Sequence, residues 1–168
     1  MNILNISKTI GFLHLCGMVT ENIYGLVIPK NTYYDQCYMT IFLSIPFSWL
    51  LFKNECLISY LIKKHENPQY IIGSNPENAN DISDLFPNLN VYTVFYHINY
   101  GLRIVSVFTV NYRTTQIQLN IFIPTLLMYT IYIQDIHCKT EYTNHRIFKI
   151  LFSGILCVSL YHTIPRFF

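Results

Sequence analysis

Apolar residues gather along the chain in five long runs, roughly 9–28, 37–52, 91–112, 116–134 and 147–164, with polar residues collected between them. A helix rises about 1.5 Å per residue and the hydrocarbon core of a bilayer is about 30 Å thick, so about 20 such residues cross it. The pattern predicts an all-α integral membrane protein, a single multi-pass domain over 1–168 built as a bundle of five transmembrane helices. The second run is short but extends back through Tyr33 and Tyr34. In the third, the polar stretch His97 to Arg103 interrupts the run, and a four-span arrangement follows if it breaks there. Trp49, Tyr92, Tyr112 and Tyr161 fall near the ends of the runs, where amphipathic rings meet the headgroups.

The stretch "IPFSWLLFKNECLISYLIKK", residues 45–64, changes character abruptly at Lys53-Asn54-Glu55. It reads as the second span leaving the membrane at Lys53, followed over 54–64 by a short amphipathic surface helix. Leu57, Ile58, Leu61 and Ile62 fall on one side of that helix, and Glu55, Ser59 and Lys63 on the other. Residues 65–90 then form the one substantial polar stretch, read as an inner loop. The steps Asn67-Pro68 and Asn75-Pro76, with Pro87, exclude a continuous helix there.

The run from Trp49 to Tyr60, with Glu55-Cys56 shortly after the tryptophan and Lys63-Lys64 beyond, resembles small multi-pass membrane proteins encoded by giant DNA viruses, over about residues 10–73. The resemblance implies a viral membrane, either a virion inner membrane or a host endomembrane. Viral membrane or capsid proteins would be the partners beside the lipid bilayer, with further copies of the chain another candidate. The family brings no activity to assign to named residues. The composition agrees with an A/T-rich source: Ile, Asn, Tyr and Phe abound and Ala79 is the single alanine.

Charge sets orientation more than function. Charged residues make up 12% of the chain, half the usual share, and a net charge of +2 is too small to imply nucleic acid. With the N-terminus inside, Lys8, Lys53, Lys63, Lys64, Lys139, Arg146 and Lys149 lie inside, against Lys30, Arg113 and Arg166 outside. The positive-inside rule therefore favours N-in, C-out, which requires an odd number of spans. The first run lacks a small-residue cleavage site and reads as a retained signal anchor. The five cysteines include no C-x-x-C and read as free thiols acting as small hydrophobes.

Candidate chemistry rests on charges at membrane depth. Glu21 and Arg103 each lie 12 residues into their runs, so both sit about 18 Å from the inner boundary. Such charges are costly unless paired or hydrated, which predicts a Glu21–Arg103 ion pair. His14 and His97 match in depth likewise. Gly11, His14, Met18, Glu21 and Gly25 follow the spacing of one helical seam, and Tyr96, Asn99, Tyr100 and Arg103 form a polar face with His97 beside it. The expected intramembrane polar cluster is thus His14, Glu21, His97, Asn99 and Arg103.

A second group, Asp135, His137, Cys138 and His145, holds zinc-compatible side chains, but its spacing matches no finger pattern, adjacent His137 and Cys138 rarely hold one ion, and a short polar turn is the simpler reading. There is no G-x-G-x-x-G, G-K-[ST], G-x-S-x-G or H-E-x-x-H, and the sequence asks for no cofactor. Two functions stay open. One is a structural or assembly protein of a viral membrane, acting through helix packing and partner contacts. The other is a membrane-embedded proton or ion conduit, or a small membrane enzyme, using His14, Glu21, His97 and Arg103.

Overall fold

The computed structural model describes residues 3–76, 80–138 and 142–164, with the side chains of 3–7, 80, 81, 137 and 142 left aside. Among these residues the regular structure is entirely helical. The helices are α1 (Ile3–Val27), α2 (Thr32–Leu51), α3 (Leu57–Glu66), the single turn α4 (Asn80–Ser83), α5 (Leu89–Val110), α6 (Leu119–Cys138) and α7 (Arg146–Thr163). A π-helical turn, Asn111–Thr115, continues α5, and a 3-10 turn, Tyr142–Asn144, precedes α7.

Local sequence explains the ends. Asn31 caps α2 by accepting from the Tyr34 N–H at 3.1 Å, and Asn88 caps α5 by accepting from Val91 at 3.0 Å. At the close of α2, Lys53 and Asn54 take left-handed backbone angles, φ 54° and 68°, and the Asn54 N–H returns to the Trp49 carbonyl at 2.7 Å. The abrupt polar trio is thus the point where the helix stops.

The five long helices alternate in direction. Along α1 and α5 the contacts rise together, Glu21 with Arg103 and Gly25 with Ser106, so these two run parallel. Tyr38 with Ser106 and Asp35 with Arg113 run oppositely, setting α2 antiparallel to α5. Phe108–Phe122 and Arg103–Tyr129 set α6 antiparallel to α5, and Thr125–Ser159 with Tyr132–Phe152 set α7 antiparallel to α6. The apolar core lies where α2, α5, α6 and α7 meet, around Met39, Phe42, Val107, Tyr129, Tyr132 and Phe152.

Polarity is turned inward. Asn22, Asp35, Arg103, Ser106, Thr125 and Ser159 are buried, while Val27, Leu127, Ile147 and Leu151 are exposed on the outer faces of the long helices.

Two expectations differ in part from the structure. By length and composition alone, three segments, Lys8–Val27, Leu119–Ile136 and Arg146–Thr163, qualify to cross a membrane, fewer than the five expected. The shortfall lies in α2 and α5, whose mean hydropathy is lowered by residues such as Asp35, Gln36, Asn99, Arg103 and Ser106. The bundle buries four of those five side chains.

The surface helix also differs. It occupies Leu57–Glu66 rather than 54–64, and Glu55 and Ser59, expected on its outer side, are buried. Glu55 accepts from Lys63 Nζ (2.7 Å), the Tyr70 hydroxyl (2.7 Å) and the Gly73 N–H (2.8 Å). A carboxylate with that many donors is stable out of water. The network folds the start of the 65–90 loop back onto α3.

Candidate functional site

The α1–α5 seam is polar because each helix brings a polar stripe to the other. Gly25 lets them touch: a Cβ there would run into the Ser106 carbonyl, and the Gly25 N–H donates to Ser106 Oγ at 2.7 Å. One turn below, Arg103 extends across the bundle. Its Nη2 donates to Glu21 Oε2 (2.9 Å), its Nε to Asn22 Oδ1 (2.6 Å) and its Nη1 to the Tyr129 hydroxyl (2.7 Å). Asn22 in turn donates to Asn99 Oδ1 at 3.2 Å, and Asn99 donates to the Phe95 carbonyl at 3.0 Å. The ion pair is nearly sealed from solvent, the side chains being 11% and 13% exposed. Glu21 Oε1 is also buried, and among the described residues no hydrogen-bond donor reaches it.

This cluster forms one wall of a cavity of about 900 Å³ bounded by α1, α2, α3, α5 and α6. The opposing walls are largely apolar, with Leu13, Ile41, Ile45, Leu61, Ile133 and Ile136 among them. His14 lines the same space two turns of α1 before Glu21, about 10 Å along the helix. Cys56 also lines it, its Sγ 3.8 Å from His14 Nε2, within hydrogen-bonding range for sulfur. Cys56 is the N-cap residue of α3. Burial pushes its thiol up, but the hydrogen bond with His14 and the backbone N–H groups of Ser59 and Ile58 outweigh this and hold the thiol below its ordinary range.

Of the expected cluster, His14, Glu21, Asn99 and Arg103 line this one cavity. His97 does not: its side chain is exposed and its Nδ1 lies 2.7 Å from the Thr93 carbonyl of its own helix. The 100° between successive helical residues turns it away from the face that Tyr96, Asn99 and Arg103 share. Asn22 and Tyr129, which the sequence did not single out, complete the site together with Cys56, which the sequence suggested only as a small hydrophobe. Asn22 adjoins Glu21, but only the helix rotation shows that both face inward.

The second candidate group does not converge. Asp135 is buried and accepts from both the N–H and the hydroxyl of Thr143, closing the turn before α7. Cys138 and His145 are exposed, and the His137 side chain lies outside the described residues. Among the described residues, no three His, Cys, Asp or Glu side chains come together as a metal site requires.

A second charge cluster, also missed, ties three helix ends together. Arg113 pairs with Asp35 through Nη2–Oδ1 (2.5 Å) and Nε–Oδ2 (2.8 Å). Its Nη1 donates to the Gly25 (3.2 Å) and Ile28 (2.7 Å) carbonyls that end α1. Asp35 accepts further from Thr114 and Tyr24.

No protein-family model, curated protein or solved structure matches the chain.

Proposed function

We propose that the chain is a five-span membrane protein whose open-sided cavity between the helices binds an amphiphilic small molecule, with the polar group of that ligand at Glu21 and Arg103. The alternating directions of α1, α2, α5, α6 and α7 are those that five successive crossings need. Inward polarity with apolar outer faces suits hydrocarbon as the surrounding solvent, since polar groups there must find partners inside the protein. An N-in, C-out orientation keeps the lysine and arginine bias on the inner side.

One observation carries the binding reading. Glu21 and Arg103 lie together on the wall of a cavity of about 900 Å³ whose other walls are largely apolar, and Glu21 Oε1, shielded from solvent, has no donor among the described residues. Buried carboxylate oxygens are normally satisfied, so a small side-chain rotation that turns Oε1 toward the cavity would let a ligand hydroxyl or amine donate to it. Apolar walls with a few convergent polar groups are the usual character of a small-molecule site. Thermal shift in detergent, with long-chain alcohols, amines and fatty acids, tests it. A long-chain alcohol or amine should stabilise the protein, and Glu21→Gln or the cavity-filling Leu61→Trp should reduce the shift. If no amphiphile raises the melting temperature, the reading fails.

A second reading rests on Arg103, which already has three partners within the protein. The cluster would then fix which helices meet in a structural or assembly protein of a viral membrane. In that case Glu21→Gln would alter stability and leave ligand response unchanged.

A further inference from the structure

The Cys56–His14 contact is unused by the binding reading, and three features distinguish it from a cysteine that merely fills space. The partner is an imidazole nitrogen 3.8 Å away, brought from 42 residues earlier by the packing of α1 beside α3. The thiol stands at the N-terminus of a ten-residue helix, where the backbone dipoles favour a negative sulfur. Both side chains line the cavity, beside apolar residues such as Leu13 and Leu57. Cys56 also lies past the end of α2, at the edge of the proposed span, where a water-soluble carrier can approach while a hydrocarbon chain enters the cavity.

We propose that Cys56 is a nucleophile that accepts a long-chain acyl group from an acyl thioester, with His14 as its base and the cavity holding the acyl chain. His14 takes the proton of the Cys56 thiol. The sulfur attacks the thioester carbonyl carbon, forming a new carbon–sulfur bond to Cys56. The bond to the carrier sulfur breaks, and the carrier thiolate takes the proton from His14. The products are S-acyl Cys56 and a free carrier thiol; no oxidant, metal or further reactant is needed. The other cysteines with described side chains make a built-in comparison, because Cys16, Cys138 and Cys157 are exposed and Cys37 is half-buried on α2.

The inference rests on the cavity being a site for amphiphiles, and the test separates the two. The full chain, purified in mild detergent, is incubated with an alkyne-tagged palmitoyl-CoA and examined by intact mass and peptide mapping. The expected result is one hydroxylamine-labile acyl group at Cys56, absent in Cys56→Ser. His14→Gln should slow labelling by about 10²-fold, a typical effect of losing a general base. The labelling rate of the parent should rise across a lower pH range than that of His14→Gln. Folding of each variant is checked by its melting temperature. Acyl groups spread over the exposed cysteines, or a rate unchanged in His14→Gln, overturn the proposal. The parent and Cys56→Ser are also titrated with palmityl alcohol, which cannot acylate. Binding of the alcohol without acylation of the parent overturns only the nucleophile; absence of both overturns the cavity reading as well.

Discussion

Glu21 and Arg103, 82 residues apart in sequence, meet at 2.9 Å on parallel helices, and only one of the two glutamate oxygens takes part. The arginine is the more committed member, since it also serves Asn22 and Tyr129. Removing it leaves a buried carboxylate and two unsatisfied acceptors. Removing the glutamate leaves a cation with two remaining partners.

The expected ranking follows. Arg103→Met should cost about 3–5 kcal/mol, the usual loss on breaking a buried pair from one side. Arg103→Lys should recover little, because one ammonium cannot reach acceptors that a planar fork serves in three directions. Reversing both charges should restore only part of the loss, because a glutamate at 103 cannot donate to Asn22 or Tyr129. Thermal unfolding in detergent measures all of these, and an Arg103→Met protein that melts with the parent would show that the cluster bears no load.

Gly25→Ala tests the close approach of α1 and α5. A methyl group there meets the Ser106 backbone, which cannot swing aside as a flexible side chain would. Overpacking of this kind costs about 1–3 kcal/mol. Gly101→Ala is the control: nothing lies within 4 Å of its new Cβ, so it should be neutral or gain up to about 1 kcal/mol from helix propensity. Equal melting temperatures for the two variants would contradict the packing.

The Asp35–Arg113 cluster predicts a loss of stability when its carboxylate is removed. Asp35 is fully buried and accepts from Arg113, Thr114 and Tyr24. Asp35→Ala should cost about 3–5 kcal/mol, because it leaves the arginine without its counter-charge. An Asp35→Ala protein that melts with the parent would show that other contacts hold these helix ends.

Glu55 and Gly73 hold the segment after α3. Gly73 has φ 80°, a conformation that side chains disfavour, and an added Cβ would press on Lys53. Gly73→Ala and Glu55→Ala should each speed limited proteolysis within 67–76 relative to the parent. Glu55→Ala should act more strongly, since three buried donor contacts lose their acceptor together. Unchanged cleavage in Glu55→Ala would show that this network does not order the segment.

Apolar runs determined where the long helices form, and the Lys53-Asn54 step marked the end of one, because helix propagation is local; the caps at Asn31 and Asn88 emerged only from the structure. Membrane-depth arithmetic placed Glu21 and Arg103 level, because rise per residue is fixed once two helices run the same way. Rotation about each helix axis was not readable in the same manner. Asn22, next to Glu21, shares its inward arc, whereas His97, next to Tyr96, does not share the cluster's. A hydropathy average ranks α2 and α5 below the other long helices, since it cannot distinguish polar groups turned inward from those turned out. The Asp35–Arg113 clamp and the Cys56–His14 contact join residues 78 and 42 positions apart. Such meetings depend on how rigid helices pack side by side, a property of the assembled bundle that no single stretch of chain contains.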